Sequence, residues 1–202
     1  VINTRTLKQY ADFFKDDSVV LFPTDTVAGV GCRFNSLEAI AKIRRIKKIV
    51  GHNPLALLIS DEKQLELLKV RRSRLSNLLM SKFWPGPLTL VLTAEESYPC
   101  SGEGNTIGLR MPDADFLRKI INMVGMPLAA TSANFHGRPA PAKLQDVNGA
   151  FRSLVDHVIE ADLNSVGLPS TVIRIEGGVL RILREGAVTK DEISSLVGDK
   201  FG

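Results

Sequence analysis

Only two cysteines occur among the 202 residues, Cys32 and Cys100, far apart and in no metal-ligand or redox spacing. Such usage fits a reducing compartment and argues against a disulfide framework. Long apolar runs are missing as well: LALLI at 55–59 and LTLVL at 88–92 are strand-sized and too short to span a membrane. The opening VINTRTLKQYADFF lacks the apolar centre of a signal peptide, so the expectation is a soluble, cytoplasmic protein. Aromatic residues make up 6% and do not interleave with basic ones, which weakens a base-stacking nucleic-acid surface. No large charge imbalance exists either. Lys and Arg number 26 against 22 acidic residues, a net +4 with an isoelectric point of about 9.2, a mild bias suited to an anionic ligand.

What is present is a sizeable apolar fraction, 44%, and an alternation of elements without repeats or a low-complexity linker. The chain therefore reads as one domain over residues 1–202. Thr4 or Thr6 is placed to cap a first helix through about Phe14, with Leu7, Tyr10, Ala11 and Phe14 on one face. VVLF at 19–22 reads as a buried strand, Ser36 starts a second helix through about Lys48, and LALLIS at 55–60 is a strand before two helices across 62–84. WPGPLTLVLT carries a turn into a strand, and IGLRMP at 107–112 is another. A helix over 113–124, a strand at 127–132, a Pro/Gly-rich loop through Lys143 and strands near 155–160, 171–175 and 179–184 complete the order. The fold class expected is α/β, helices packed on a mixed sheet.

Three loops follow apolar strands and present hydroxyls, amides or glycines. PTDTVAGVG at 23–31 offers Thr24 and Thr26, with Gly29 and Gly31 letting backbone N–H groups approach a ligand; a plain strand-to-helix turn is the alternative. TSANFHGRPAP at 131–141 supplies Ser132 and Asn134, and GLPSTVI at 167–173 supplies Ser170 and Thr171. Charge adds a further clue. Wound at about 100° per residue, the second helix places Leu37, Ile40, Ile43 and Ile46 on one apolar side, with Lys47 between Ile40 and Ile43. A lysine there must snorkel, end the helix or meet an anion in a cavity. Arg110 and Arg184 lie in apolar strands and need a partner or an open site. KVRRSR at 69–74 reads as a solvated helix surface, with RNA contact as the alternative.

PTDTVAGVG after a strand, Lys47 before NPL, WPGPLTLVL, IGLRMP, TSAN, PSTVI and LREG occur in an order that resembles the threonylcarbamoyl-AMP synthase family, the YrdC-like domain, over residues 8–188. The resemblance implies an open twisted α/β sheet curled around a large basic cavity; longer members add a C-terminal domain, for which this length leaves no room. It implies condensation of L-threonine, bicarbonate and ATP into threonylcarbamoyl-adenylate and pyrophosphate. A partner transferase complex then modifies adenosine 37 of tRNA, with weak or indirect tRNA contact by this chain and no membrane. By the same resemblance Thr24, Thr26, Gly29 and Arg110 hold threonine and the carbamate. Lys47, Asn53, Ser132, Asn134, Ser170 and Arg184 surround the nucleotide, with Lys47 and Arg110 in the catalytic roles. Magnesium is expected to travel with ATP, with no dedicated protein metal site.

Two positions depart from the family pattern: Ala28 stands where an aromatic residue is usual, and Ile49 where an arginine is usual. The first loosens the expected threonine pocket. The second removes a phosphate contact that Arg45, Lys48 or His52 would have to replace. The readings held beside the synthase are a divergent YrdC-like nucleotide-binding protein with another substrate, and a non-catalytic RNA-binding module supported by the basic runs at 42–48 and 69–74.

Overall fold

The computed structural model describes residues 2–49 and 53–198. Helix α1 (Thr4–Asp12) starts at Asn3, whose side chain accepts from the Thr6 amide at 2.9 Å, so the cap is Asn3 and neither threonine. Strand β1 (Val20–Phe22) is fully buried, and β2 (Gly29–Arg33) pairs with it antiparallel. Helix α2 (Leu37–Lys47) is capped by Ser36 and ends at Lys48 in the left-handed conformation. Its buried residues include Ile40, Ile43, Ile46 and Lys47; Leu37, expected on that face, is 71% exposed.

Strand β3 (Ala56–Leu58), short helices α3 (Lys63–Leu67) and α4 (Arg74–Phe83), and β4 (Leu88–Thr93) follow, then β5 (Thr106–Arg110), α5 (Asp115–Val124) and β6 (Leu128–Ser132). The remaining elements are α6 (Gly149–Arg152), β7 (His157–Val158), β8 (Thr171–Glu176), β9 (Val179–Arg184) and α7 (Lys190–Val197). KVRRSR turns out to be mostly the connection between α3 and α4. Lys69 sits at positive φ, Ser73 caps α4, and Lys69 and Arg72 pair with Glu96 and Glu62.

The strands form one mixed sheet in the order β7-β1-β2-β6-β3-β5-β4-β8-β9. One face carries the larger core, in which Ile40 and Ile43 of α2, Leu79 of α4 and Ile193 of α7 pack on Val30, Leu57, Leu90, Leu109 and Ile173. The other face is covered only in part. Leu7 and Ala11 of α1 and Leu117, Ile120 and Ile121 of α5 pack on Val20, Phe22, Leu58, Leu128 and Ala130. Among the described residues no side chain of β4, β5, β8 or β9 joins that second core. Helices therefore leave half of this face bare, and the cavity described next lies there.

Small residues flatten its floor. Ala130, Ala56 and Gly108 line it as successive register partners across three strands, in a row that starts outside the cavity at Gly31 and continues through Val91 and Arg174 to Arg181. Gly31 is glycine for a steric reason within the sheet, since a Cβ there would meet the Ala129 carbonyl oxygen at 2.7 Å. The expected approach of its backbone to a ligand is replaced by approach to a neighbouring strand.

Candidate functional site

The segment after β1 cannot continue the ladder through Pro23 and folds into a turn stabilised by its own hydroxyls. Thr24 Oγ donates to the Val27 carbonyl at 2.7 Å, lies 2.9 Å from Thr26 Oγ, and accepts from the Thr26 and Val27 amides. Three further strings of chain hold this loop. Val166 N donates to Asp25 O, Gly167 N to Thr26 O, Ala28 N to Pro141 O and Ala133 N to Ala28 O. The hydroxyls are thus fixed before any ligand arrives.

Beneath them lies an ion pair that the sequence reading missed. Arg110, 6% exposed, donates through Nε to Gly86 O at 3.0 Å, through one terminal nitrogen to Thr26 Oγ at 2.7 Å and through the other to Asp25 Oδ1. Burial pushes the guanidinium's pKa down, and the Asp25 carboxylate opposes that push. The signal for Asp25 was an acidic residue in a loop facing a strand arginine, but they stand 85 residues apart and only the fold joins them.

A cavity of about 610 Å³ opens above this pair, a size within the usual range for small-molecule sites. Thr24, Thr26, Gly29, Arg110, Ser132, Ser170 and Arg184 all line it, so seven of the anticipated positions converge on one volume. Ser170 Oγ lies 2.8 Å from Thr89 Oγ, and Arg184 clasps the Ser170 carbonyl at 2.8 Å. Burial and the nearby Arg110 charge both push the Arg184 pKa down, so the two guanidiniums share one electrostatic space. Arg174 also lines the cavity and was not anticipated, although alternation along TVIRIE puts it on the face of Val172. Phe22, Val27, Leu58 and Ala130 supply an apolar corner.

Lys47, Asn53 and Asn134 are not among the described residues lining this volume. Lys47 is 4% exposed, and its ammonium donates to Ser132 O at 2.6 Å, Asn134 O at 2.8 Å and Asn134 Oδ1 at 3.3 Å. It braces the TSAN loop from behind, with its donors engaged by carbonyl oxygens rather than directed into the cavity. Burial lowers its pKa to about 8. Asn134 is likewise structural, accepting from Ser132 Oγ at 2.5 Å and donating to Phe135 O and Arg138 O. The Asn53 side chain is exposed, and its carbonyl accepts from Arg44 at 3.4 Å.

Ala28 is 1% exposed within the larger core, on the side away from the cavity, so a small residue there does not widen the pocket. Ile49, Arg45 and Lys48 do not line the cavity, and Lys48 sits 5.4 Å over the Phe135 ring; His52 lies outside the described residues. The basic run at 42–48 is largely engaged within the protein. Lys42 pairs with Asp156 and Arg44 donates to Pro99 O at 3.1 Å, which removes most of the support for an RNA surface there. Among the described residues no helix is long and apolar enough to cross a membrane.

Known proteins resemble this chain in sequence and in fold. A threonylcarbamoyl-AMP synthase of Bacillus subtilis is 32% identical over 97% of this chain, which spans 58% of that protein. A threonylcarbamoyl-AMP synthase of Pyrococcus abyssi is 34% identical over 94% of the chain and 56% of its own length. The crystal structure of P. abyssi Sua5 complexed with L-threonine superposes with a TM-score of 0.92 at 32% identity, over 100% of this chain and 60% of that one. The chain thus spans less than two thirds of these relatives. The Sua5/YciO/YrdC family, described as telomere recombination, matches residues 12–186, and the chain belongs to it.

Proposed function

We propose that the chain forms L-threonylcarbamoyl-adenylate and pyrophosphate from L-threonine, bicarbonate and ATP, acting as a nucleotidyltransferase. The observation that carries this reading is the single cavity in which the fixed Thr24–Thr26 loop and the Asp25-anchored Arg110 face Ser132, Ser170 and Arg184. The names of the relatives, and the threonine complex of the P. abyssi protein, support the same substrates.

The chemistry needs little from side chains as acids or bases. The threonine amine and bicarbonate lose water to give a carbamate, already an anion. A carbamate oxygen attacks the α-phosphorus of ATP, the bond to the bridging oxygen breaks, and pyrophosphate leaves with the electron pair. What the protein supplies is alignment and fixed positive charge, the main sources of catalysis at phosphorus. Hydroxyls of Thr24 and Thr26 suit the amino-acid end, and Arg110 suits a carboxylate or carbamate. Ser132, Ser170 and Arg184 suit the nucleotide. Magnesium would enter with ATP as part of the substrate, since Asp25, the buried carboxylate at the floor, is committed to Arg110. The product would serve a transferase that modifies tRNA adenosine in the cytoplasm.

A second reading, another acyl-adenylate made in the same cavity, is favoured by the withdrawal of Lys47 and by isoleucine at position 49. One assay separates the two. Pyrophosphate release should require threonine and bicarbonate together, and serine should be poorer by roughly 1 to 3 kcal/mol for the lost methyl. Equal release without either substrate, or equal efficiency with serine, would remove the threonine assignment.

A further inference from the structure

Strands β8 and β9 end the sheet on the side not covered by helices, and they carry an arrangement of charge that fold stability alone disfavours. Arg174 and Arg181 are direct cross-strand partners in an antiparallel ladder, where side chains point to the same face and like charges oppose each other. Their face is the cavity face, because Ile173 and Ile175 point to the other side and pack in the larger core, while Val172 and Arg174 line the cavity. Arg184, paired with Val172 across the same ladder, lines that cavity too. The ladder shifts register between Val172 and Ile173, which brings both Leu183 and Arg184 to the cavity wall.

Neutralisation of this group is partial. Arg174 meets Glu176 twice, through Nε and through one terminal nitrogen, each at 3.3 Å in an exposed setting, whereas Arg181 is exposed with no described partner. Arg184 uses Nε and one terminal nitrogen on Ser170. Guanidiniums offer paired donors that match phosphate oxygens, and opposed arginines become favourable once a multivalent anion lies between them.

We propose that Arg174 and Arg181, with Arg184 at their inner edge, form a diphosphate-binding lip on the β8–β9 hairpin. The ligand chemistry is a diphosphate, present either as the outer phosphates of bound ATP or as the pyrophosphate released beside it. This deepens the adenylate-forming reading and rests on it for the identity of the ligand. The binding itself is measurable without that reaction.

The test is calorimetric titration of inorganic pyrophosphate into the whole protein at low ionic strength, with threonine and bicarbonate absent. Proteins compared are the unaltered chain, Arg174→Gln, Arg181→Gln, the double variant, and Arg71→Gln as a control that removes one exposed charge from the α3–α4 connection. Each lip variant should weaken pyrophosphate binding by about three- to tenfold and the double variant by more, with Arg71→Gln close to the unaltered chain. Without ligand, Arg181→Gln should melt at the same or a higher temperature, because a like-charge contact is gone, so lost binding cannot be ascribed to unfolding. If ATP affinity falls in proportion, the lip holds the ATP tail; if only pyrophosphate affinity falls, it holds the product. A double variant that binds pyrophosphate as the Arg71→Gln control does would overturn the proposal. Loss of pyrophosphate binding in variants of a protein that makes no adenylate would instead contradict the proposed function and leave the lip standing.

Discussion

At the floor of the cavity a guanidinium is held almost out of water by one carboxylate, one hydroxyl and one carbonyl, so its position depends on Asp25. Breaking such a pair from one side leaves an uncompensated buried charge. Asp25→Asn should therefore lower unfolding free energy by about 3 to 5 kcal/mol in urea titration, with loss of substrate use; an unchanged midpoint would show that the pair is not structural. Lys47 makes a different case. Its folded pKa of about 8 lies below the unfolded value, so between those values the unfolded chain binds a proton that the folded one has lost. Its contribution to stability should rise as pH climbs through that window. The unfolding free energy of the unaltered chain relative to Lys47→Met should then increase from pH 7 to pH 10, and a flat or falling difference would contradict the assignment. Helical periodicity made the buried position of Lys47 legible, but not its partners. The acceptors are backbone carbonyls of Ser132 and Asn134, which no side-chain pattern announces.

Elements with strong apolar periodicity were readable, and those held by neighbours were not. Strand β2 hid inside a glycine-rich segment because Gly29, Gly31 and their small neighbours look like a loop until β1 and β6 flank them. The four-residue α6 carries too few residues for a period to show, whereas the strand expected near 155–160 is present as the two-residue β7. Helix α7 lies beyond the last strand expected from the sequence, and its Thr189–Glu192 capping box is the local signal for it. Two glycines separate sheet packing from ligand space. Gly31→Ala drives a Cβ to 2.7 Å from a backbone oxygen and should cost about 1 to 3 kcal/mol in thermal or urea melts. Gly108→Ala meets nothing closer than 3.4 Å, so its melting temperature should hold while the raised floor weakens nucleotide affinity. The reverse ranking would place the cavity floor wrongly.

Across the whole molecule, function follows from asymmetry between the two faces of one sheet. One face is covered by helices, and on the other the helices pack only on residues of β1, β3 and β6, leaving β4, β5, β8 and β9 to line, with Phe22, Ala56, Leu58 and Ala130, a cavity that holds arginines. Cys32 and Cys100 lie in the sealed half, both fully buried, with burial pushing their thiols up to about 12 and about 11. Thiol reagents should label neither until the sheet opens, and rapid labelling in native buffer would contradict the packing. By the function proposed above, threonine, bicarbonate and ATP would meet in the open half, in one volume. The most direct test of that function is incubation with isotopically labelled bicarbonate, L-threonine and ATP, followed by mass spectrometry of the nucleotide products. A labile adenylate carrying both the label and threonine should form with the unaltered chain and be lost in Arg110→Ala, whereas no labelled adenylate from the folded unaltered chain would contradict the proposed function.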